Sequence, residues 1–245
     1  MLMRNGHSGP EALAAVLAGD PDSNVRQVGM IDADGKAASH TGDRTIRYAG
    51  HQVGEHYAAQ ANMMATNTVP PAMGKAFEGT SGALILRLMA ALKAAQAEGG
   101  DFRGQQSAAL KVVSGTLPKN DFDGVIHDLR VEDHPEAVTE MERLVNRKTV
   151  YRMVSEALRL AEEGNADGAM TEYEAAIALD PDTDGLQFWF ALTMATEHGQ
   201  LQRVQDILQR LMKGDDMWVE HVVRMNEARE FKAKGLLEAI MALVK

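Results

Sequence analysis

GGDFRGQQSAALKVV, residues 99–113, places an acid, an arginine, two glutamines and a serine between a helix-like stretch and an apolar run. Before it, residues 81–97 carry Leu84, Leu88, Ala91 and Ala95 on one side of a helix. After it, Ser107–Ser114 has the short apolar pattern of a strand. A helix that returns into a strand makes this part of the chain mixed α+β. The polar residues at the junction either hold a turn together or line a site.

The same alternation extends outward. SGPEALAAVLAGD reads as a short helix, with Ser8 as its cap, Pro10 in its first turn, and Leu13, Val16 and Leu17 on one face. VRQVGMIDADGKAASHTG reads as a hairpin in which Val25, Val28 and Met30 or Ile31 turn inward and Asp34-Gly35 makes the turn. Residues 68–78 form a further helix. Downstream, Gly115–Asp123 connects to a strand at Gly124–Val131, and His134–Asn146 is a closing helix. These are few strands for a layered fold, and the chain enters directly in a helix. Opening strands are therefore either missing or supplied by another chain, and a homo-oligomer is expected.

From about Thr149 the strand signal ends. YRMVSEALRLAEEGNADGAMTEYEAAIALDPD spaces Ala157, Leu160, Ala169, Tyr173, Ala176 and Pro181 as in a pair of closely packed antiparallel helices separated by the GNADG turn. The spacing resembles a tetratricopeptide repeat, with Met153 at the Trp-type position and Glu156 where an apolar residue is usual. A weaker unit follows, with Phe190, Ala191 and Met194 on its first helix and Val204, Leu208 and Leu211 on its second. DMWVEHVVRMNEAREF is the expected capping helix. A generic helical hairpin bundle is the alternative, because small-residue spacing also serves ordinary helix packing. The expected domains are residues 1–147, α+β, and residues 148–245, all-α.

Charge narrows the range of functions. A formal net charge of −10 with no Lys/Arg stripe disfavours nucleic acid and anionic membranes as partners, since both are polyanions. The chain has no cysteine, which removes disulfides, thiolate metal sites and a cysteine nucleophile, and fits a reducing cytoplasm. MLMRNGHSGPEALAA lacks the sustained apolar core of a signal peptide, and no apolar run approaches the roughly 20 residues of a membrane span. A soluble, cytoplasmic protein is expected.

Metal-like motifs fail on spacing. DPDTDG, residues 180–185, opens like a calcium loop, but its twelfth position is Ala191 where a bidentate Glu is needed. HQVGEH sets His51 and His56 five residues apart rather than four and has no characteristic third ligand; both read as hairpin-edge histidines. No phosphate loop, dinucleotide fingerprint or G-x-S-x-G elbow occurs, so neither metal nor cofactor is expected.

Three polar clusters remain: Thr41-Gly42 with Gly50-His51, Asn62, and the 99–113 stretch. DLRVEDHP, residues 128–135, adds to them, with Asp128, Arg130 and Glu132 on one strand face and Asp133 at a helix entry. Arg103 or Arg130 can bind a carboxylate through a two-donor fork, and Asp101 can orient either. The ligand-facing candidates are His51, Asn62, Asp101, Arg103, Gln105, Arg130 and Asp133, for a small amide or anionic ligand. In the structural alternative, Asp101 and Gln105 satisfy turn amides and Asp133 caps a helix whose first turn holds Pro135.

RQVGMIDADGKAASHTG, AGHQVG, QANMM, AFE, GGDFRGQQSAALKVV and DLRVEDHPEAV, taken in order, resemble the domain of unknown function 1028 over roughly Met1 to Val145. The resemblance implies an N-terminal-nucleophile (Ntn) hydrolase-like fold, two stacked sheets between helices in an αββα sandwich. Two departures stand out. Relatives carry opening strands before the helix at Ser8–Ala18, and Ala61 replaces the glycine usual before Asn62. An Ntn hydrolase attacks an amide with an N-terminal Thr, Ser or Cys, whereas this chain starts Met1-Leu2. A fragment, a shortened gene model and an inactive descendant all fit this.

Two functions of different class follow. One is an Ntn-type amide-bond hydrolase whose nucleophile lies upstream of the given residues. In that case His51, Asn62, Asp101, Arg103 and Gln105 would position substrate or stabilise an oxyanion. The other is a noncatalytic binding or assembly protein whose helical tail docks a peptide or a second subunit.

Overall fold

In the computed structural model, which describes residues 2–116, 119–120, 123–229 and 231–244, the fold is mixed α+β and falls into two compact units, Met1–Val145 and Asn146–Lys245. The first helix, α1 (Gly9–Ala18), begins at a reciprocal capping box between Ser8 and Glu11, with Pro10 in its first turn. Two antiparallel hairpins follow: β1 (Gln27–Ile31) with β2 (Ala37–Thr41), and β3 (Gly50–Gly54) with β4 (Tyr57–Ala61). Asp34-Gly35 makes the first turn, as expected, with Gly35 at φ 78°. Val25, expected to face inward in this hairpin, instead sits exposed in a short 3-10 turn before it.

The β3–β4 hairpin carries the two histidines expected at a hairpin edge, His51 in β3 and His56 in its turn, although the sequence pattern does not delimit its strands. Its turn, Glu55-His56, puts His56 in the left-handed region at φ 63°, an uncommon conformation for a residue with a side chain. Helices α2 (Val69–Gly79) and α3 (Leu84–Ala97) pair with each other. α1 packs on β1–β2, the hairpins lie against one another, and α2 packs on β3–β4. Tyr57 of β4 meets Phe77 of α2 with ring centroids 5.0 Å apart.

The buried stripe of α3 keeps Leu88 and Ala91 of the expected positions and adds Ile85 and Met89. Ile85, Met89 and Ala91 are buried, with Leu88 and Leu92 packed beside them, while Leu84 is exposed. The reason is local: Leu84 is the first residue of the helix, where its side chain overhangs the entry. β5 (Ala108–Val113) pairs antiparallel with β6 (Val125–Val131), so among the described residues the sheets are three separate two-stranded pairs. Of the expected connection at 115–123, Leu117, Pro118, Asp121 and Phe122 lie outside the described residues.

The closing helix does not end at Asn146 as expected. Helix α4 runs from Ala137 to Glu162, because no Gly or Pro interrupts residues 137–163. Ala137, Met141 and Val145 belong to the core with Leu110 and Val112. Val150, Val154, Ala157 and Ala161 belong to the core of the helical unit.

That unit continues with α5 (Ala166–Leu179), α6 (Asp184–Thr196), α7 (Leu201–Gly214), α8 (Asp216–Arg229) and α9 (Leu236–Ala242). Glu230, part of the expected capping helix, lies outside the described residues. Asn165 caps α5 by accepting from Gly168 N–H at 2.9 Å. Tyr173 stacks on Phe190 of α6, centroids 4.2 Å apart and nearly parallel. The acidic DPDTDG stretch forms the α5–α6 connection: Arg147 pairs with the Asp180 carboxylate and donates to the Asp182 carbonyl, and Thr183 donates to the Asp180 carbonyl. Among the described residues no helix is long and apolar enough to cross a membrane, and no group of three or more acidic or histidine side chains is placed to hold a metal ion.

Burial pushes the Tyr173 phenol up to about 12. Stability tied to this group is complete below the unfolded pKa of about 10 and is lost as pH rises through the folded value, by roughly 2–3 kcal/mol. Urea unfolding of wild type and Tyr173→Phe at rising pH checks this. The variant is expected to lose less stability above pH ~10, and parallel curves would refute the assignment.

Candidate functional site

The carboxamide of Gln27 sits between the two hairpins. Its Nε2 shares two hydrogens among three acceptors, the Ala61 carbonyl at 2.9 Å, the Gly50 carbonyl at 3.1 Å and Thr41 Oγ1 at 3.0 Å. Two carbonyl oxygens beside one amide atom identify that atom as nitrogen, so the amide orientation is fixed. Gln27 Oε1 then accepts from Asn62 Nδ2 at 3.2 Å. Thr41 Oγ1 lies 2.9 Å from His51 Nδ1. Four residues from two hairpins form one hydrogen-bonded chain, Asn62–Gln27–Thr41–His51. Gly29, two positions along β1, gives room to Gln60: a Cβ there would stand 2.0 Å from the Gln60 amide nitrogen.

Beyond β4 the backbone of Met63 turns left-handed at φ 59°. This delivers the Met63 carbonyl to Phe102 N–H (3.0 Å), Ala65 N–H to the Gly100 carbonyl (2.9 Å), and Met64 into a β-bridge with Asp101. On the other side of that contact, Gly99 and Gly100 have φ of 101° and 58°, values at which a Cβ is strained.

The 101–107 segment lines a cavity of about 550 Å³ together with Gln96, Asp133 and Val138. Asp101 and Arg103 form a two-point pair, Nε to Oδ1 at 2.9 Å and Nη2 to Oδ2 at 2.6 Å, and Asp101 Oδ1 also accepts Arg103 N–H. These side-chain bonds hold the Asp101 carboxyl below the usual range and raise Arg103. The guanidinium uses its side-on edge on Asp101, so the end-on edge of Nη1 and the second Nη2 hydrogen remains for a ligand. Gln105 Oε1 accepts Val138 N–H at the start of α4, leaving its Nε2 donors.

The sequence-predicted residues thus divide. Asp101, Arg103, Gln105 and Asp133 share the cavity. His51 and Asn62 belong to the hairpin network, and His51 lines a different cavity of about 510 Å³. Arg130 joins neither: Asp128 pairs with it on the exposed face of β6 at 2.9 Å, so Asp101 orients Arg103 and not Arg130. The capping role expected of Asp133 falls to Gln105, through its bond to Val138 N–H in the first turn of α4, while His134 Nδ1 accepts Glu136 N–H at 3.0 Å just before the helix. Gln27 and Arg47 escaped sequence reading. The first is a lone amide in a strand, and the second is one of several scattered arginines.

The architecture is thus an α+β unit with a polar, arginine-bearing cavity, followed by an all-helical unit. The family model for the family of unknown function DUF1028 matches residues 1–141, and the chain belongs to that family. A crystal structure of a DUF1028 protein from Silicibacter pomeroyi is similar, at 29% identity and a TM-score of 0.51. The match covers 60% of this chain and 62% of that one. No curated protein matches the chain.

Gln27→Leu keeps the side-chain volume and removes every amide bond between the hairpins. It is expected to lower stability by about 1–3 kcal/mol, as polar groups lose buried partners. Chemical denaturation followed by circular dichroism measures this; a wild-type midpoint would show that the network contributes nothing.

Proposed function

We propose that the α+β unit binds a small ligand bearing a carboxylate and an amide N–H. The observation that supports this is the composition of the larger cavity. Arg103 is braced by Asp101 with its end-on edge unused, and Gln96, Gln105, Ser107 and Asp133 stand around the same space. A carboxylate pairs with the Arg103 edge, the Asp133 carboxylate accepts an amide N–H, and the glutamine amides serve either end. Bracing matters because a guanidinium already held in place loses less side-chain freedom on binding.

The amide-bond hydrolase reading draws on the resemblance of the motifs to Ntn-type enzymes, and there these groups would position substrate. An activated hydroxyl needs a base in hydrogen-bond reach. Ser107, the hydroxyl among the described lining residues, has no such bond to an imidazole or carboxylate among the described residues. That observation favours binding over attack by Ser107.

A second reading concerns the helical unit as a contact surface for another copy of the chain. Exposed Trp189 and Met217 favour it, with Phe188 stacked on Trp218 and His221 edge-on to Trp189 at 5.0 Å. Large exposed aromatics are typical of contact anchors. Sedimentation compares wild type with Trp189→Ser: self-association lost in the variant supports the reading, and identical profiles remove it.

For the cavity, calorimetric titration with N-acetylglycine is the test. Binding is expected in wild type, weakened by at least about tenfold in Arg103→Ala and partly in Arg103→Lys, which keeps charge without the planar fork. No binding by wild type, or equal binding by Arg103→Ala with an unchanged melting temperature, overturns the proposal.

A further inference from the structure

We propose that the cavity beside β3 is a second, separate binding site, for an oxyanion of the phosphate class, in which His51 Nε2–H and the Arg47 guanidinium are the donors. The cavity is formed by the chain from Thr41 to His51, and no lining residue is shared with the Arg103 cavity. The argument starts at Gln27. Its nitrogen is fixed by the Gly50 and Ala61 carbonyls, and the same nitrogen faces Thr41 Oγ1 at 3.0 Å. An amide N–H has no lone pair to offer, so the Thr41 hydroxyl hydrogen points elsewhere. His51 Nδ1, 2.9 Å away, is the acceptor in reach. The imidazole is thereby held with its proton on Nε2, and the exposed end of the ring is a donor.

The second donor is prepared in the same manner. Arg47 donates to the Tyr48 hydroxyl and lies over the Tyr48 ring, its guanidinium carbon 4.5 Å from the centroid. Stacking and one hydrogen bond restrict a long side chain while leaving most of its donors unused. Thr45, whose hydroxyl donates to the Gly42 carbonyl, and Tyr48 complete the polar lining. Asp43 is the opposing carboxylate; it is exposed to solvent, where its repulsion is screened. An immobilised guanidinium beside a donor imidazole matches an oxyanion with several acceptor oxygens.

The experiment uses the full chain and inorganic phosphate. Long-range proton–nitrogen correlation of the histidine rings, at mildly alkaline pH where free imidazole is neutral, is expected to show His51 as the Nε2–H tautomer. Phosphate should shift the His51 ring signals saturably, with a Kd of about 1 mM or below. Arg47→Ala, on an exposed loop, and His51→Phe should each weaken binding by about tenfold or more, the loss of a charge-assisted or direct hydrogen bond. His51→Gln, which retains an N–H donor, should recover part of it. An Nδ1–H tautomer, ring signals indifferent to phosphate, or wild-type affinity in Arg47→Ala each overturns the proposal.

Discussion

The first unit depends on one carboxamide. A two-stranded hairpin is marginal alone in water, and this unit contains two that must lie on each other with few large apolar side chains between them. Gln27, Thr41, Gln60 and Asn62 occupy that region, and Gln27 bonds to both hairpins at once. Because the amide offers distinct donor and acceptor ends, its partners fix its orientation, and its orientation fixes theirs. Thr41, Asn62 and His51 therefore occupy defined positions, and the Met63 turn that follows carries this order to the Gly100–Phe102 segment. The cavity at Arg103 is thus built on a backbone whose place is set two hairpins away.

Legibility in the sequence followed the strength of local signals. The β1–β2 turn was readable because Asp34-Gly35 supplies a residue that tolerates positive φ, and β5 and β6 because their apolar runs are short and bounded. β3–β4 was legible only as a hairpin edge at His51 and His56: GHQVG and YAAQA are rich in glycine and alanine, which blurs the strand bounds, and the turn uses His56 rather than Gly at φ 63°. Its strands are held by the fit of Tyr57 against Phe77 and of Gln60 against Gly29 more than by intrinsic propensity. The continuity of α4 was missed because His134–Asn146 reads as a closing helix ahead of a polar run, Asn146-Arg147-Lys148. Polarity does not stop a helix in the absence of Gly or Pro, and here Arg147 has its own use on Asp180.

The candidate site was legible as a set of residue types and illegible as a set of pairings. Asp101 and Arg103 are two positions apart, as are Asp128 and Arg130, and each acid takes its near neighbour. Closing a short local contact costs less chain entropy than a long one. This is why Arg130 stays on its strand while Arg103 turns to the cavity. It also divides the 128–135 stretch, leaving Arg130 on its strand and Asp133 at the cavity.

The two units solve the burial problem in opposite ways. The helical unit gathers Phe188, Phe190, Leu192, Met194 and Leu208, all essentially inaccessible, into one apolar cluster. The α+β unit has smaller clusters and places hydrogen-bonded amides, hydroxyls and an imidazole where its hairpins meet. Replacing apolar contact by polar contact gains little net stability, because each bond formed displaces one to water. What it gains is direction: an apolar layer tolerates sliding, whereas a donor–acceptor chain has one arrangement that satisfies every member. Such a layer is poorly suited to strengthening a fold and well suited to holding His51 and the Arg103 loop at fixed orientations, which is what selective binding of a polar ligand requires.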